Sequence, residues 1–159
     1  MILEIKKYPD PVLKKRTEKV IEITPEIKEL IFNMKETLKQ RGGVGLAAPQ
    51  VGVSKKIIII RTKNKLMAFI NPNIIKKGLK KICETEGCFS FPDLWLEIKR
   101  AETIRARALN EEGKEIIIDI RGFLSMVLQH EIDHLDGILF FERLPFLQKL
   151  KIKKELDKK

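Results

Sequence analysis

Apolar positions along this chain fall into two periods. Ile27, Leu30, Ile31, Met34 and Leu38 recur at helical spacing, which marks one face of an amphipathic helix. Thr24-Pro25-Glu26 supplies an N-cap, a proline at the first helical position and an acid near the positive end. Gly42-Gly43 predicts its end. The pattern then changes. Ile57–Ile60 is short, β-branched and flanked by lysines, as a buried strand is. Leu66–Ile70 and Lys81–Glu86 predict further strands. Across Thr103–Leu109, Ile104, Ala106 and Ala108 alternate with Arg105 and Arg107, a half-buried strand. A turn at Asn110–Gly113 leads into Lys114–Ile120 and makes a hairpin. The segment from Gly122 to Asp136 carries Phe123, Leu124, Met126, Val127, Leu128 and Ile132. It is apolar on nearly all sides, which predicts a helix central to the core. From Pro145 a second, more weakly amphipathic surface helix is expected. Residues 1–23 mix short apolar pieces with Pro9, Pro11 and lysines, and predict extended chain and turns. Helix, strands, then helix is an α+β order without βαβ alternation.

Length and composition narrow the class. A chain of 159 residues suits one domain, 1–159, and no repeat, low-complexity stretch or linker divides it. Hydrophobic residues at 43% and charged residues at 34% describe a globular protein. Two cysteines exclude a disulfide scaffold. No apolar run approaches the ~20 residues of a membrane span. The first residues meet charge at once and lack the apolar stretch of a signal peptide, so a cytoplasmic location is expected. The net charge of +10 is uneven. Thr37 to Cys83 holds eleven Lys and Arg and no acid, and Phe146–Lys159 holds six Lys against two acids. Such a balance favours polyanions as neighbours, or simply a well-solvated surface.

The chemistry concentrates in three clusters. Gln129-His130-Glu131-Ile132-Asp133-His134 contains H-E-x-x-H and both of the chain's histidines. Four residues apart on a helix, the two imidazoles share a face and can share a metal ion, with Glu131 beside it to handle a water proton. A catalytic site of this kind needs a third protein ligand. With no third histidine it must be Cys, Asp or Glu. Phe140 stands where a metzincin would place its third histidine. Cys88, in Glu86-Gly87-Cys88-Phe89-Ser90, is the better candidate. Adding Cys83 would give a closed structural zinc site. An odd separation of five puts the two cysteines on opposite faces of one strand, and such a site has no use for Glu131. Cys83 is therefore expected to be an ordinary buried cysteine. The third cluster is Gly42–Gln50. It fits the dinucleotide fingerprint only weakly, since a helix precedes it and Pro49 interrupts the segment after it. A glycine-rich turn allows close backbone approach to a ligand, and Gln50 adds a neutral donor. It would equally serve as a plain helix C-cap.

Together these clusters resemble the peptide deformylases, a family marked by G-x-G-L-A-A-x-Q, E-G-C-x-S and Q-H-E-x-D-H. Here these stand as Gly43–Gln50, Glu86–Ser90 and Gln129–His134, in the same order. Pro9–Leu13, Arg100–Glu102 and Gly137–Phe140 are also similar. The resemblance implies mixed or antiparallel strands wrapped around a central helix bearing H-E-x-x-H, with one helix in the N-terminal half and another at the C-terminus. It implies a monomeric hydrolase that removes the N-formyl group from the N-terminal methionine of new polypeptides. Carried over by position, Cys88, His130 and His134 bind one metal ion, typically Fe2+, with Zn2+ or Ni2+ able to replace it. Glu131 becomes general base and acid, and Gln50 and the Phe89 backbone N–H hold the oxyanion. Gly45 offers backbone hydrogen bonds. Val44, Phe123, Met126 and Val127 are candidates for the methionine pocket, and Glu86 and Arg100 for an ion pair behind the site. Phe89 replaces the usual leucine, putting a larger ring beside the groove, and Trp95 lies in a variable groove-side segment. In bacterial members the C-terminal helix docks on the ribosome near the exit tunnel, which Lys149, Lys151, Lys153, Lys154, Lys158 and Lys159 would suit. Neither membrane nor DNA is an expected partner. The rival readings are a metallopeptidase with the same motif chemistry and a structural zinc or RNA-binding module.

Overall fold

The computed structural model describes residues 1–159. Helix α1 spans Pro25–Arg41. Thr24 caps it by accepting from Ile27 N–H, and Gly42 ends it in the left-handed region at φ 71°. Beyond it the chain builds two sheets. The larger has the order β1 (Gly45–Ala47), β2 (Ile57–Arg61), β3 (Leu66–Lys77), β6 (Thr103–Leu109), β7 (Glu115–Arg121), all antiparallel. The smaller pairs β4 (Lys81–Cys88) with β5 (Phe91–Ala101). Helix α2 is Phe123–Leu135, and helix α3, Phe146–Asp157, closes the chain. No helix is long and apolar enough to cross a membrane.

The isoleucine run shows how pattern becomes packing. Successive strand residues point to opposite faces. Ile58 and Ile60 join Phe69, Ala106, Val127, Leu128 and Leu135 in a core between the larger sheet and α2. Ile57 and Ile59 join Ile31, Met34 and Leu38 in a second core between the same sheet and α1. A strand segment buried on both faces must be apolar at every position, and Ile57–Ile60 is, with the half-buried Arg61 closing the strand. β6 has one wet face, so its Ile104, Ala106 and Ala108 turn inward. Arg105 and Arg107 face water and pair across the hairpin with Asp119 and Glu115. A third core, with Leu13, Phe91, Ile98, Leu139, Phe140 and Phe141, lies under the start of β5 and the turn after α2.

The central helix is tied down by its own polar residues. Gln129 donates from Nε2 to Ala101 O at 2.8 Å and accepts from Ala101 N–H through Oε1 at 3.3 Å. Ser125 donates to the same carbonyl at 2.9 Å. The last residue of β5 thus fixes the height of α2, although its first residue, Phe123, is left exposed.

Three expectations change. β3 and β4 run further than their apolar segments indicated, because ladder pairing continues through polar residues. β5 was not expected at all. Its alternation of Leu94, Leu96 and Ile98 begins behind Pro92 and Asp93, the latter at φ 64°. Cys83 is not a buried cysteine. It is exposed on β4, opposite Lys99.

Candidate active site

Sequence separation of four on α2 brings the two histidine rings to 5.1 Å between centroids. Cys88 meets them from the end of β4, its Sγ 3.3 Å from His134 Nε2. The ligand atoms of Cys88, His130 and His134 all lie within 4.8 Å of one another. His130 is orientated from behind: its Nδ1–H donates to Glu86 Oε1 at 2.7 Å, which leaves Nε2 for the trio. A thiol and two imidazoles converging at this range fit a single transition-metal ion, and the outer carboxylate on one imidazole is what metal-bound histidines ordinarily have. Cys83 takes no part in the cluster.

Electrostatics mark the same spot. Burial pulls His130 down. Hydrogen bonds to Cys88 and Glu86 and the nearby negative charges outweigh it, and its pKa rises to about 10 in the metal-free chain. His134 lies well below the usual histidine value through burial and the charge of His130. Burial lifts Glu131 to about 7. Its Oε2 is buried without a hydrogen-bond partner. A buried carboxyl oxygen left unsatisfied in a cleft lined by three possible metal donors needs an explanation.

The glycine-rich turn forms the facing wall. After Gly42 caps α1, Gly43 lies against the Phe89 ring, where a side chain would collide with it. At Gly45 a Cβ would stand 2.5 Å from Glu131 Oε1. Absence of side chains at these two positions is thus a requirement of the site, beyond the cap. The short helical turn Ala48–Val51 then presents Gln50. Its Oε1 accepts from Ala47 N–H at 2.9 Å, which fixes the amide orientation. Nε2 therefore faces the trio and donates to Cys88 Sγ at 3.3 Å and Ser90 Oγ at 3.4 Å.

These groups open onto a cavity of about 620 Å3 lined by Val44, Gly45, Phe123, Met126 and Val127 as well as Gln50, Cys88, Phe89, His130 and Glu131. Every residue expected at the pocket is there. Trp95 also lines it, its ring lying over Gly87 where a Cβ would collide. Glu86 and Arg100 form a buried two-bond pair at 2.6 and 3.0 Å. Two further residues were missed. Asp133, on the back of α2, accepts from Arg100 at 2.9 Å, and Arg143 donates twice to Asp133. Asp133 was visible within the motif. Arg143 carried no signal, being an arginine in a basic chain.

The polypeptide deformylase family matches residues 2–150. This chain belongs to the polypeptide deformylase family. A peptide deformylase of Thermodesulfovibrio yellowstonii is 44% identical over 163 aligned positions, covering 99% of this chain and 98% of the relative. One from Halothermothrix orenii is 48% identical, covering 90% and 94%. In three dimensions the peptide deformylase of Thermus thermophilus superposes with a TM-score of 0.92 at 39% identity, covering 99% of this chain and 96% of its own. The antiparallel sheets around a helix, expected from the deformylase resemblance, are the architecture observed.

Proposed function

We propose that Cys88, His130 and His134 hold one divalent metal ion and that Glu131 carries the proton in the hydrolysis this family performs. The chain is a hydrolase that removes the N-formyl group from N-terminal methionine. Water adds to the formyl carbon, the C–N bond breaks, and formate leaves with the free amine as second product. When bound, the metal supplies Lewis acidity that lowers the pKa of water towards ~7 and polarises the formyl oxygen. The observation that carries the reading is the unpartnered Glu131 Oε2 beside three converging metal donors.

Glu131 Oε2 takes the proton from the attacking water and returns it to the leaving amine. Gln50 Nε2 and the backbone N–H of Phe89 donate to the oxygen that gains charge. Val44, Phe123, Met126 and Val127 bury the methionine side chain. β1 pairs only with β2, so Gly45 lies on a sheet edge whose backbone is open to an extended peptide. Glu86 and Arg100 hold His130 in place.

Iron is the metal proposed, Zn2+ and Ni2+ being able to replace it, because a thiolate with two imidazoles suits all three. Elemental analysis of protein purified without oxygen should find one iron per chain, and zinc in its place would refute that choice. Cys88→Ala should lose both tightly bound metal and formate release. Retention of the metal would remove Cys88 from the trio.

The natural substrate is the nascent polypeptide, with the cytoplasm as the location and residues 1–159 as one folded unit. Docking on the ribosome is assigned to α3. Its Ile152 and Leu156 pack on the third core, while Lys151, Lys153, Lys154, Lys158 and Lys159 stay exposed. Lys153→Glu with Lys154→Glu should weaken ribosome binding and flatten its salt dependence. Unchanged binding would remove α3 from that role.

A further inference from the structure

Behind His130, a chain of ion pairs runs outward to the surface. His130 Nδ1–H donates to Glu86 Oε1. Arg100 donates from Nε to Glu86 Oε2 and from Nη2 to Oε1, which uses one whole edge of its guanidinium. Its remaining Nη1 donates to Asp133 Oδ2 at 2.9 Å. Arg143 then donates from Nε to that same oxygen at 3.0 Å and from Nη2 to Oδ1 at 2.6 Å. Exposure rises along the chain, with side chains 3% exposed at Arg100, 9% at Asp133 and 39% at Arg143.

Arg100 is one charge claimed by two buried acids. A buried carboxylate that loses a partner is strongly destabilised, and neighbouring donors move to it. Without Arg143, Asp133 would keep only Arg100 and draw the guanidinium towards itself. Glu86 would then meet His130 with less of its charge neutralised and with a looser grip on its own position. Partners of this kind set both the orientation and the basicity of a ligating imidazole. The turn Phe140–Arg143 reaches the same histidine by a second route, the Phe140 ring lying 5.5 Å from that of His130.

We propose that Arg143 is a positioning residue for the metal centre: by occupying Asp133 it keeps Arg100 on Glu86, and so fixes the orientation and donor strength of His130. This rests on the metal-binding role assigned to Cys88, His130 and His134. It places the outer end of the site on the turn that follows α2.

The test uses the Co2+-loaded chain, read by its visible absorption bands and by the rate of Co2+ release to excess chelator. Loss of an outer partner typically changes metal affinity about 10–100-fold. Arg143 acts through three intervening residues, Asp133, Arg100 and Glu86, so Arg143→Gln should shift the bands and speed release by roughly tenfold. Arg143→Lys, a single donor point in place of a fork, should fall between. Glu142→Ala is the control. Its carboxylate accepts from Leu139 N–H within the same turn at 2.7 Å and does not reach Asp133. It should lower the melting temperature and leave both cobalt readouts unchanged. Unaltered bands and release in Arg143→Gln would overturn the proposal, as would equal changes in Glu142→Ala. Failure of the unaltered chain to bind one Co2+ would overturn the metal site and this inference together.

Discussion

Glu131 sits where burial and chemistry oppose each other. Burial raises its carboxyl to about 7, and one oxygen has no partner. An acid whose folded value is raised destabilises the fold once pH exceeds its unfolded value of ~4.3, and the penalty grows until pH passes the folded value. In the metal-free chain at pH 8, Glu131→Gln should therefore stabilise the fold by up to about 4 kcal/mol. At pH 4 the gain should nearly vanish. Urea melts at the two pH values check this, and an equal gain at both would contradict the assigned cause. At Gln50 the fixed amide predicts that Gln50→Ala lowers kcat by about 10²–10³ with metal retained. At this scale the cluster of Cys88, His130 and His134 was legible in the sequence, because H-E-x-x-H and E-G-C-x-S carry donor chemistry at fixed spacing. Arg143 was not, because its role arises only when the turn after α2 folds back onto Asp133.

At the scale of elements, the site is a meeting of the β4 end, the glycine turn and α2. The glycine turn is the most sensitive of the three. A methyl group at Gly45 meets the flexible end of Glu131, so the fold can yield but the base must move. Gly45→Ala should lose about 10² in kcat with little change in melting temperature, since misplacement near 1 Å can cost that much. A large fall in stability with normal kcat would mean the glycine serves packing alone. β4 gives the opposite expectation at Cys83, which is exposed and outside the trio. Cys83→Ser should leave metal content and formate release intact, and metal loss would revive the closed zinc site. Helices α1 and α2 and the strands β2 and β6 could be read from periodicity, because each has a face or faces committed to the core. β5 could not, since Pro92 and the left-handed Asp93 break the alternation at its start. The far end of β3 could not either, since its Lys76 and Lys77 belong to the strand only through pairing with β6.

Across the whole molecule, the proposed metal ion would tie two separate parts of the chain. Cys88 ends the smaller sheet and the histidines lie on the helix covering the larger one. A ligand held only by the folded state stabilises it by mass action, about 2.7 kcal/mol at a hundredfold excess over Kd. For a chain of this size that is roughly 5–10 °C in melting temperature. Chelation should produce a fall of that order, smaller in Cys88→Ala.

The central claim is that one metal ion and Glu131 together hydrolyse the formyl group. Formate release from a formyl-Met tripeptide tests it most directly, using Fe2+-loaded protein kept from oxygen. The account predicts release by the unaltered chain, its loss on chelation, and a loss of about 10²–10⁴ in Glu131→Gln that still holds one metal ion. Release that survives chelation, or a near-full rate in Glu131→Gln, would contradict it.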